Sequence, residues 1–250
     1  MGVLDGKVAI VTGAGQGVGR GIALAFAKEG ARVALLGRTR SKCQAVAAEI
    51  ATAGGVGLPI VCDVEHREQI EASVARVVEE WGRIDVLVNN AQSMTYASIR
   101  KLTDDDMESM WRSGPMACFR LMQVCFPHLR DSQGSVINLG SGSGIMPHAM
   151  MSGYAMAKEA VRTLSRVGAI EWGRHGIRVN AICPLADSPG ASGFGESTGA
   201  YDAVTAQIPL GHWGDAEFDI GRGAVYLAGA DAKFVTGTTL MIDGGFNYLR

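Results

Sequence analysis

The sequence predicts a doubly wound α/β fold: seven parallel strands in one sheet, with helices on both faces. Three observations predict it. Short apolar runs alternate with longer segments of helical period along the whole chain. The runs are continuously apolar, as strands buried on both faces are. The first run leads straight into a glycine-rich turn and then a helix. Strand–helix alternation of this kind implies a parallel sheet, because each parallel connection crosses over through a helix.

The expected elements follow in order. Lys7–Val11 reads as a strand and Gly19–Glu29 as a helix. Arg32–Leu36 is the second strand, followed by a helix over Arg40–Ala53. Val56–Cys62 is the third strand. His66–Trp81 is a helix with Ile70, Val74, Val77 and Val78 on one face. Ile84–Val88 is the fourth strand, and Asp104–Leu129 a helix disturbed at Gly114-Pro115. Ser135–Leu139 is the fifth strand and Gly153–Arg174 a helix. Ile177–Ile182 is the sixth strand. Residues 184–215 read as irregular, before a helix over Ala216–Ala228 and a last strand over Thr238–Ile242.

Composition narrows the function classes. The chain has 250 residues, 47% hydrophobic and 19% charged, with no linker-like stretch, so one domain over 1–250 is expected. A net charge of −2 gives no electrostatic reason to expect nucleic acid or an anionic membrane as partner. The 34 glycines are scattered, which points to tight turns rather than low complexity. Cys43, Cys62, Cys118, Cys125 and Cys183 show no C-x-x-C spacing and form no plausible disulfide framework. They read as small buried apolar residues. No metal site is expected, and neither a signal peptide at Met1–Lys7 nor a membrane span is visible. A reducing cytoplasm fits these features.

Ligands of such sheets bind beyond the carboxyl ends of the strands, so the residues after each strand carry the functional reading. After the first comes T-G-A-G-Q-G-V-G, Thr12–Gly19. Gly13 permits the tight turn. Gly17 lets the backbone approach a pyrophosphate, and Gly19 lets the helix pack close to the strand. Gln16 and Val18 complete this candidate cofactor loop. The helix N-terminus offers free N–H groups and a partial positive charge to phosphates. After the second strand stand Gly37 and Arg38, with Arg40 close by and no acidic residue. NADP(H) is therefore favoured over NAD(H), with Arg38 on the 2′-phosphate. After the third strand, Asp63 and Val64 are placed at the adenine. After the fourth, Asn89, Asn90 and Ala91 are placed at the ribose and nicotinamide.

The chemistry is expected on the helix near Gly153. Tyr154 and Lys158 are spaced i and i+4 and so share a face. A free Tyr has a pKa of ~10, and a nearby ammonium favours its phenolate. Tyr154 can then give a proton to a carbonyl or take one from an alcohol. Ser141, in N-L-G-S-G-S-G after the fifth strand, is the candidate second donor to the same oxygen.

Together these segments resemble the short-chain dehydrogenase/reductase family in its short single-domain form. The resemblance rests on T-G-x-x-x-G-x-G at Thr12–Gly19, N-N-A at Asn89–Ala91, and a serine thirteen residues before Y-x-x-x-K. It extends to I-R-V-N at Ile177–Asn180 followed by Pro184, and to T-G-x-x-x-x-x-D-G-G at Thr236–Gly245. It implies a Rossmann-type sheet and an NAD(P)-dependent alcohol dehydrogenase or ketone reductase, commonly a homotetramer. It also implies Tyr154 as acid/base, Lys158 as the residue that lowers its pKa and binds the nicotinamide ribose, and Ser141 as the residue orienting the substrate oxygen.

Three departures from the family pattern stand out. Gln92 replaces the glycine of N-N-A-G. Gly114, beside Pro115, falls where the family has a catalytic Asn that supports a water-linked proton path to the Lys, which leaves either a space for water or a rearranged helix. The family's P-G-x-x-x-T reads P-L-A-D-S-P, so its Thr falls on Pro189 and Ser188 is the expected substitute on the carboxamide.

The substrate side is apolar. Segments 92–96, 142–151 and 185–215 hold Met94, Tyr96, Ile145, Met146, His148, Met150, Met151, Phe194 and Trp213. Gln92, Met94, Met146, His148 and Met151 are the candidate substrate residues, and Gly190–Gly199 a candidate lid. A hydrophobic ketone or secondary alcohol, alicyclic or steroid-like, is the expected substrate. The competing expectation is a catalytically impaired dinucleotide-binding protein, a sensor or assembly partner, resting on Gly114 and Gln92.

Overall fold

A computed structural model describes residues 2–188 and 201–248. The seven strands are β1 (Val8–Thr12), β2 (Arg32–Gly37), β3 (Val56–Val61), β4 (Val86–Asn89), β5 (Ser135–Leu139), β6 (Arg178–Pro184) and β7 (Thr239–Ile242). They form one sheet in the order β3-β2-β1-β4-β5-β6-β7. Every neighbouring pair is parallel. The chain runs outward from β1 to β3, then returns to place β4 against β1. At this reversal the connections leave in opposite directions and open a crevice at the carboxyl ends of β1 and β4.

The central strands are buried throughout because both faces are covered. Ala9 and Val11 of β1 face a core with Ile22 and Phe26, which belong to α1 (Gly17–Lys28). Val8 and Ile10 face the other core, with Ile70, Val74 and Val77 of α3 (Arg67–Trp81) and Leu121 and Leu129 of α5 (Ala117–Ser132). This side-to-side alternation is hidden in a sequence where every position is apolar. α2 (Arg40–Thr52) packs beside β2 and β3. All five cysteines are free and buried.

The expected helix over 104–129 is three pieces. α4 (Asp104–Trp111) opens with a reciprocal cap between Thr103 and Asp106. A π turn over Arg112–Met116 follows, and then α5. Pro115 lies inside the turn and has no N–H to give, which is the physical reason for the break. The helix expected over 216–228 also begins with a π turn, Ala216–Gly221, capped by Asp215 Oδ1.

Two short helices escaped the sequence reading. They are α6 (Gly142–Ile145) and α8 (Tyr201–Thr205), the latter inside the stretch read as irregular. α7 (Ser152–Trp172) and α9 (Arg222–Ala228) complete the set. Pro189, Phe194 and the candidate lid over 190–199 lie outside the described residues.

Candidate active site

A cleft of about 460 Å³ lies at the crevice between β1 and β4. Among its walls are Gly13, Gln16, Gly17, Val18, Arg38, Val64, Asn90, Ala91, Gln92, Met94, Tyr154, Lys158, Pro184 and Ser188. Residues far apart in sequence thus meet at one place.

The glycine loop is held by its neighbours. Gly13 and Gly17 have φ of 63° and 54°, the left-handed region that a side chain rarely enters. A Cβ on Gly19 would lie 2.4 Å from Gly13 O, so helix and loop touch backbone to backbone. Asn90 Nδ2 donates to Thr12 O at 2.8 Å, and the N–H groups of Asn90 and Ala91 donate to Thr12 Oγ1 at 2.9 and 3.0 Å. Asn90 therefore braces the loop. Asn89 points away, into a buried chain through Asn138 to Ser165. α1 begins without a side-chain cap or an acidic residue in its first turn. Its first N–H groups remain available to an anion.

A dinucleotide fits this construction: a backbone cradle that a Cβ would fill, a bare helix N-terminus, and a cationic far end. Arg38 is exposed at that end and makes no hydrogen bond or ion pair with a described residue. Lys42 of α2 also lines the cleft and donates to Gln16 Oε1. Sequence reasoning missed Lys42; its place one helical turn beyond Arg38 was the available signal. At the third strand the expectation divides. Cys62 and Val64 line the cleft, while the Asp63 carboxylate is not part of the wall and accepts from Glu65 N at 3.1 Å. The short turn into α3 uses that carboxylate as its local cap.

At the other end, α7 brings Tyr154 and Lys158 together. Lys158 is 4% exposed. Its Nζ donates to Leu139 O at 2.7 Å and lies 5.5 Å from the centre of the Tyr154 ring. Ser141 does not line the cleft itself, but its side chain lies beside the Tyr154 phenol, near enough to favour the phenolate. Its Oγ also accepts from Ser143 N at 3.2 Å, capping α6. The glycines around Ser141 admit close protein contacts. A Cβ on Gly140 would meet Cys183 Sγ at 2.8 Å, and one on Gly142 would meet Asn247 Nδ2 at 2.2 Å. Asn247, held by Asp243, thus presses on the Ser141 loop from the C-terminal segment, a contact sequence reasoning missed.

The electrostatics differ from the expectation of a Lys-stabilised phenolate. Burial pushes Tyr154 up to about 12, against a lowering by the nearby Ser141 side chain. Burial pulls Lys158 down to about 8. A site away from water disfavours the charged form of either group, so the pair rests neutral on the tyrosine. Tyr96, beside Tyr154, is likewise raised to about 12, by burial first and then by Tyr154.

The departures at Gln92 and Gly114 turn out to be one feature. Gly114 leaves no space for water: a Cβ there would sit 2.0 Å from Gln92 Oε1. The Gln92 carboxamide fills the volume, and the helix is rearranged into the π turn. The two residues on which a catalytically impaired protein was argued are thus matched to each other.

The candidate substrate residues are spread more widely. Gln92 and Met94 line the cleft. Met151 is buried at the start of α7. Met146 and His148 are exposed on the loop beyond α6, with His148 stacked on Phe246 at 6.2 Å. Neither reaches the cleft wall, because that loop runs outward before α7 begins. Trp213 is engaged within its own segment, stacked on Tyr201 and donating to Thr205.

Residues 13–247 match the family model described as Enoyl-(Acyl carrier protein) reductase. The chain is 42% identical to the 12alpha-hydroxysteroid dehydrogenase of Clostridium sp., over 98% of each chain. It is 32% identical to the 3-oxoacyl-[acyl-carrier-protein] reductase of Thermotoga maritima, over 97% of this chain and 98% of that one. The crystal structure of a protein from Burkholderia xenovorans assigned to the short-chain dehydrogenases/reductases superposes with a TM-score of 0.93 at 33% identity, covering 98% of both chains. The chain belongs to the short-chain dehydrogenase/reductase family. It is an oxidoreductase of the CH–OH/C=O kind, and its family works with NAD(P) on small molecules. Among the described residues no helix is long and apolar enough to cross a membrane.

Proposed function

We propose that this short-chain dehydrogenase/reductase uses NADP(H) in preference to NAD(H) to interconvert a hydrophobic ketone and its secondary alcohol. The observation that carries the reading is a cleft with Tyr154 and Lys158 at one end, Ser141 just behind the phenol, and a glycine cradle with a cationic rim at the other end. Gly13, Gln16, Gly17, Val18, Asn90, Ala91, Pro184 and Ser188 hold the dinucleotide, with Gly19 beneath them and Val64 at the adenine. Asp63 shapes the adenine end without touching it. Arg38 and Lys42 favour the 2′-phosphate, since a phosphate recruits such donors and no carboxylate stands at the end of β2 to repel it.

When bound, the nicotinamide gives or accepts the hydride. Tyr154 gives its phenolic proton to the oxygen of a ketone being reduced, and takes it back in oxidation. Ser141 donates to the same oxygen. Lys158 supports the phenolate at the moment it forms, when a positive charge nearby is worth most. A raised Tyr154 keeps its proton at neutral pH, which suits reduction.

Met94, Tyr96 and Met151 give the substrate end an apolar character, and the Clostridium relative is a hydroxysteroid dehydrogenase. A rigid alicyclic or steroid-like substrate is the best supported. Exposed apolar residues on α5 and α7, Phe119 and Ile170 among them, fit subunit contacts of a homotetramer. The chain is read as one dinucleotide-binding domain acting in a reducing cytoplasm, where five buried free thiols persist.

The test is a panel of steroid and cyclic ketones, with NADPH and with NADH, followed at 340 nm. Oxidation of NADPH on at least one such ketone is expected. Turnover confined to sugars or to NADH would overturn the substrate or the cofactor reading respectively.

A further inference from the structure

Ser141 stands on a piece of chain too short to hold itself. α6 is one turn, with Ser141 as its cap, and a single helical turn has little stability alone. Its first residue, Gly142, is buried and does not lie in the left-handed region, so backbone conformation does not explain the missing Cβ. The neighbour does: a Cβ on Gly142 would run into the Asn247 carboxamide. On Gly144 a Cβ would run into the Glu159 carboxylate, which Arg162 holds at 2.6 and 2.8 Å. α6 is thus kept in place by what presses on its two glycines.

Asn247 is itself fixed. The Asp243 carboxylate accepts from Gly245 N at 3.1 Å, from Asn247 N at 2.8 Å and from Asn247 Nδ2 at 2.9 Å, which closes the chain after β7 into a tight turn. Asp243 and Asn247 are both buried. Buried polar side chains persist where their bonds are made, and these bonds set the carboxamide in one place. The same turn grips two further segments. Phe246 stacks on His148, in the loop that leads from α6 to α7. Gly244 O accepts from Leu210 N at 3.2 Å. The contact with Gly142 runs from the end of β7 to the end of β5, across β6. Neither Asp243 nor Asn247 lines the cleft.

We propose that Asn247 is a positioning residue of this enzyme: held by Asp243, it clamps Gly142 and so sets the place of the Ser141 hydroxyl beside Tyr154. The inference rests on the reading of Ser141 as a donor to the substrate oxygen, which Ser141→Ala tests by itself.

The experiment is a double-mutant cycle of Asn247→Ala and Ser141→Ala, with kcat on the best ketone and the Kd of NADPH read for each protein. Misplacing a reacting group by about an ångström costs up to about 10²-fold. Asn247→Ala is expected to lower kcat by about 10- to 100-fold while the Kd of NADPH holds. It should cost nothing further where residue 141 is already alanine, because the two side chains act as a unit. An unchanged kcat, or the same fold-loss in both backgrounds, would make Asn247 a structural residue alone and overturn the proposal. A wild-type rate in Ser141→Ala would overturn the reading of Ser141, and this inference with it. If Asn247→Ala does not fold, or Ser141→Ala is too slow to measure, the Gly142 side decides. Gly142→Ala drives a methyl into the carboxamide and should lower kcat. Recovery toward wild type in Gly142→Ala/Asn247→Ala supports the clamp; a rate no higher than that of Gly142→Ala overturns it.

Discussion

At the dinucleotide end of the cleft the backbone does the shaping, whereas around Gln92 and Gly114 two side-chain volumes shape each other. The first end depends on left-handed glycines, a bare helix start and an asparagine brace, all within one βα turn and the end of the neighbouring strand. The second joins residues twenty-two positions apart, through a carboxamide lodged where any Cβ at 114 would go. A loop built on backbone constraint fails abruptly when a side chain is added. A pair built on complementary volume fails when one partner changes and recovers when both do.

The largest expected effect comes from breaking the backbone end. Gly19→Val would drive a side chain into Gly13 O and the Asn90 amide. Loss of measurable dinucleotide binding is expected, by fluorescence titration, with a lowered Tm. Wild-type affinity would show that the loop tolerates displacement and is not a rigid cradle.

The next effect sharpens the cationic rim. Arg38→Ala with Lys42→Ala removes two candidate phosphate donors, each worth ~1.5–3 kcal/mol as a charge-assisted bond. The affinity for NADPH should fall at least about tenfold while that for NADH changes little. Parallel losses for both would remove the 2′-phosphate from the assignment.

Gly114→Ala probes the paired volumes without touching the dinucleotide end. Its Cβ would collide with Gln92 Oε1, and that carboxamide is held by two hydrogen bonds. A destabilisation of about 1–3 kcal/mol, the usual cost of overpacking, is expected in denaturant unfolding. An unchanged midpoint would mean that Gln92 swings away freely.

The smallest effect has the opposite sign. Burial lowers Lys158 from its ordinary value to about 8. A base whose folded pKa is depressed holds fewer protons when folded. Its cost is therefore complete below pH 8 and fades as pH rises toward ~10.5. Lys158→Met should abolish turnover yet raise Tm by a few degrees at pH 7, with the gain shrinking above pH 9. A lower Tm at pH 7 would show that the Leu139 hydrogen bond outweighs the burial of the charge.

The same contrast explains what was legible in the sequence. Strand and helix placement followed from apolar runs and glycine turns, and so did the Gly13–Gly19 loop, because backbone requirements leave single-residue signatures. Tyr154 and Lys158 were legible through helical spacing. The role of Asn90 as a brace was not, since nothing local says which strand end it will face. The match of Gln92 to Gly114, the press of Asn247 on Gly142 and the reach of Lys42 to Gln16 all depend on contacts across the sheet. Each position taken alone looked like a departure or like a solvated residue. The outward course of the loop carrying Met146 and His148 was equally hidden, because its residue types suit a pocket wall as well as a surface.

The most direct measurement is a side-by-side comparison of wild type and Tyr154→Phe, with the Kd of NADPH by fluorescence and turnover on the best ketone at 340 nm. The substitution removes one oxygen and leaves the ring, Lys158 and the glycine cradle in place. Unchanged affinity with turnover reduced by about 10²–10⁴-fold, the span of general acid–base catalysis, is the expected result. Turnover close to wild type would contradict Tyr154 as the proton donor and move the chemistry elsewhere in the cleft.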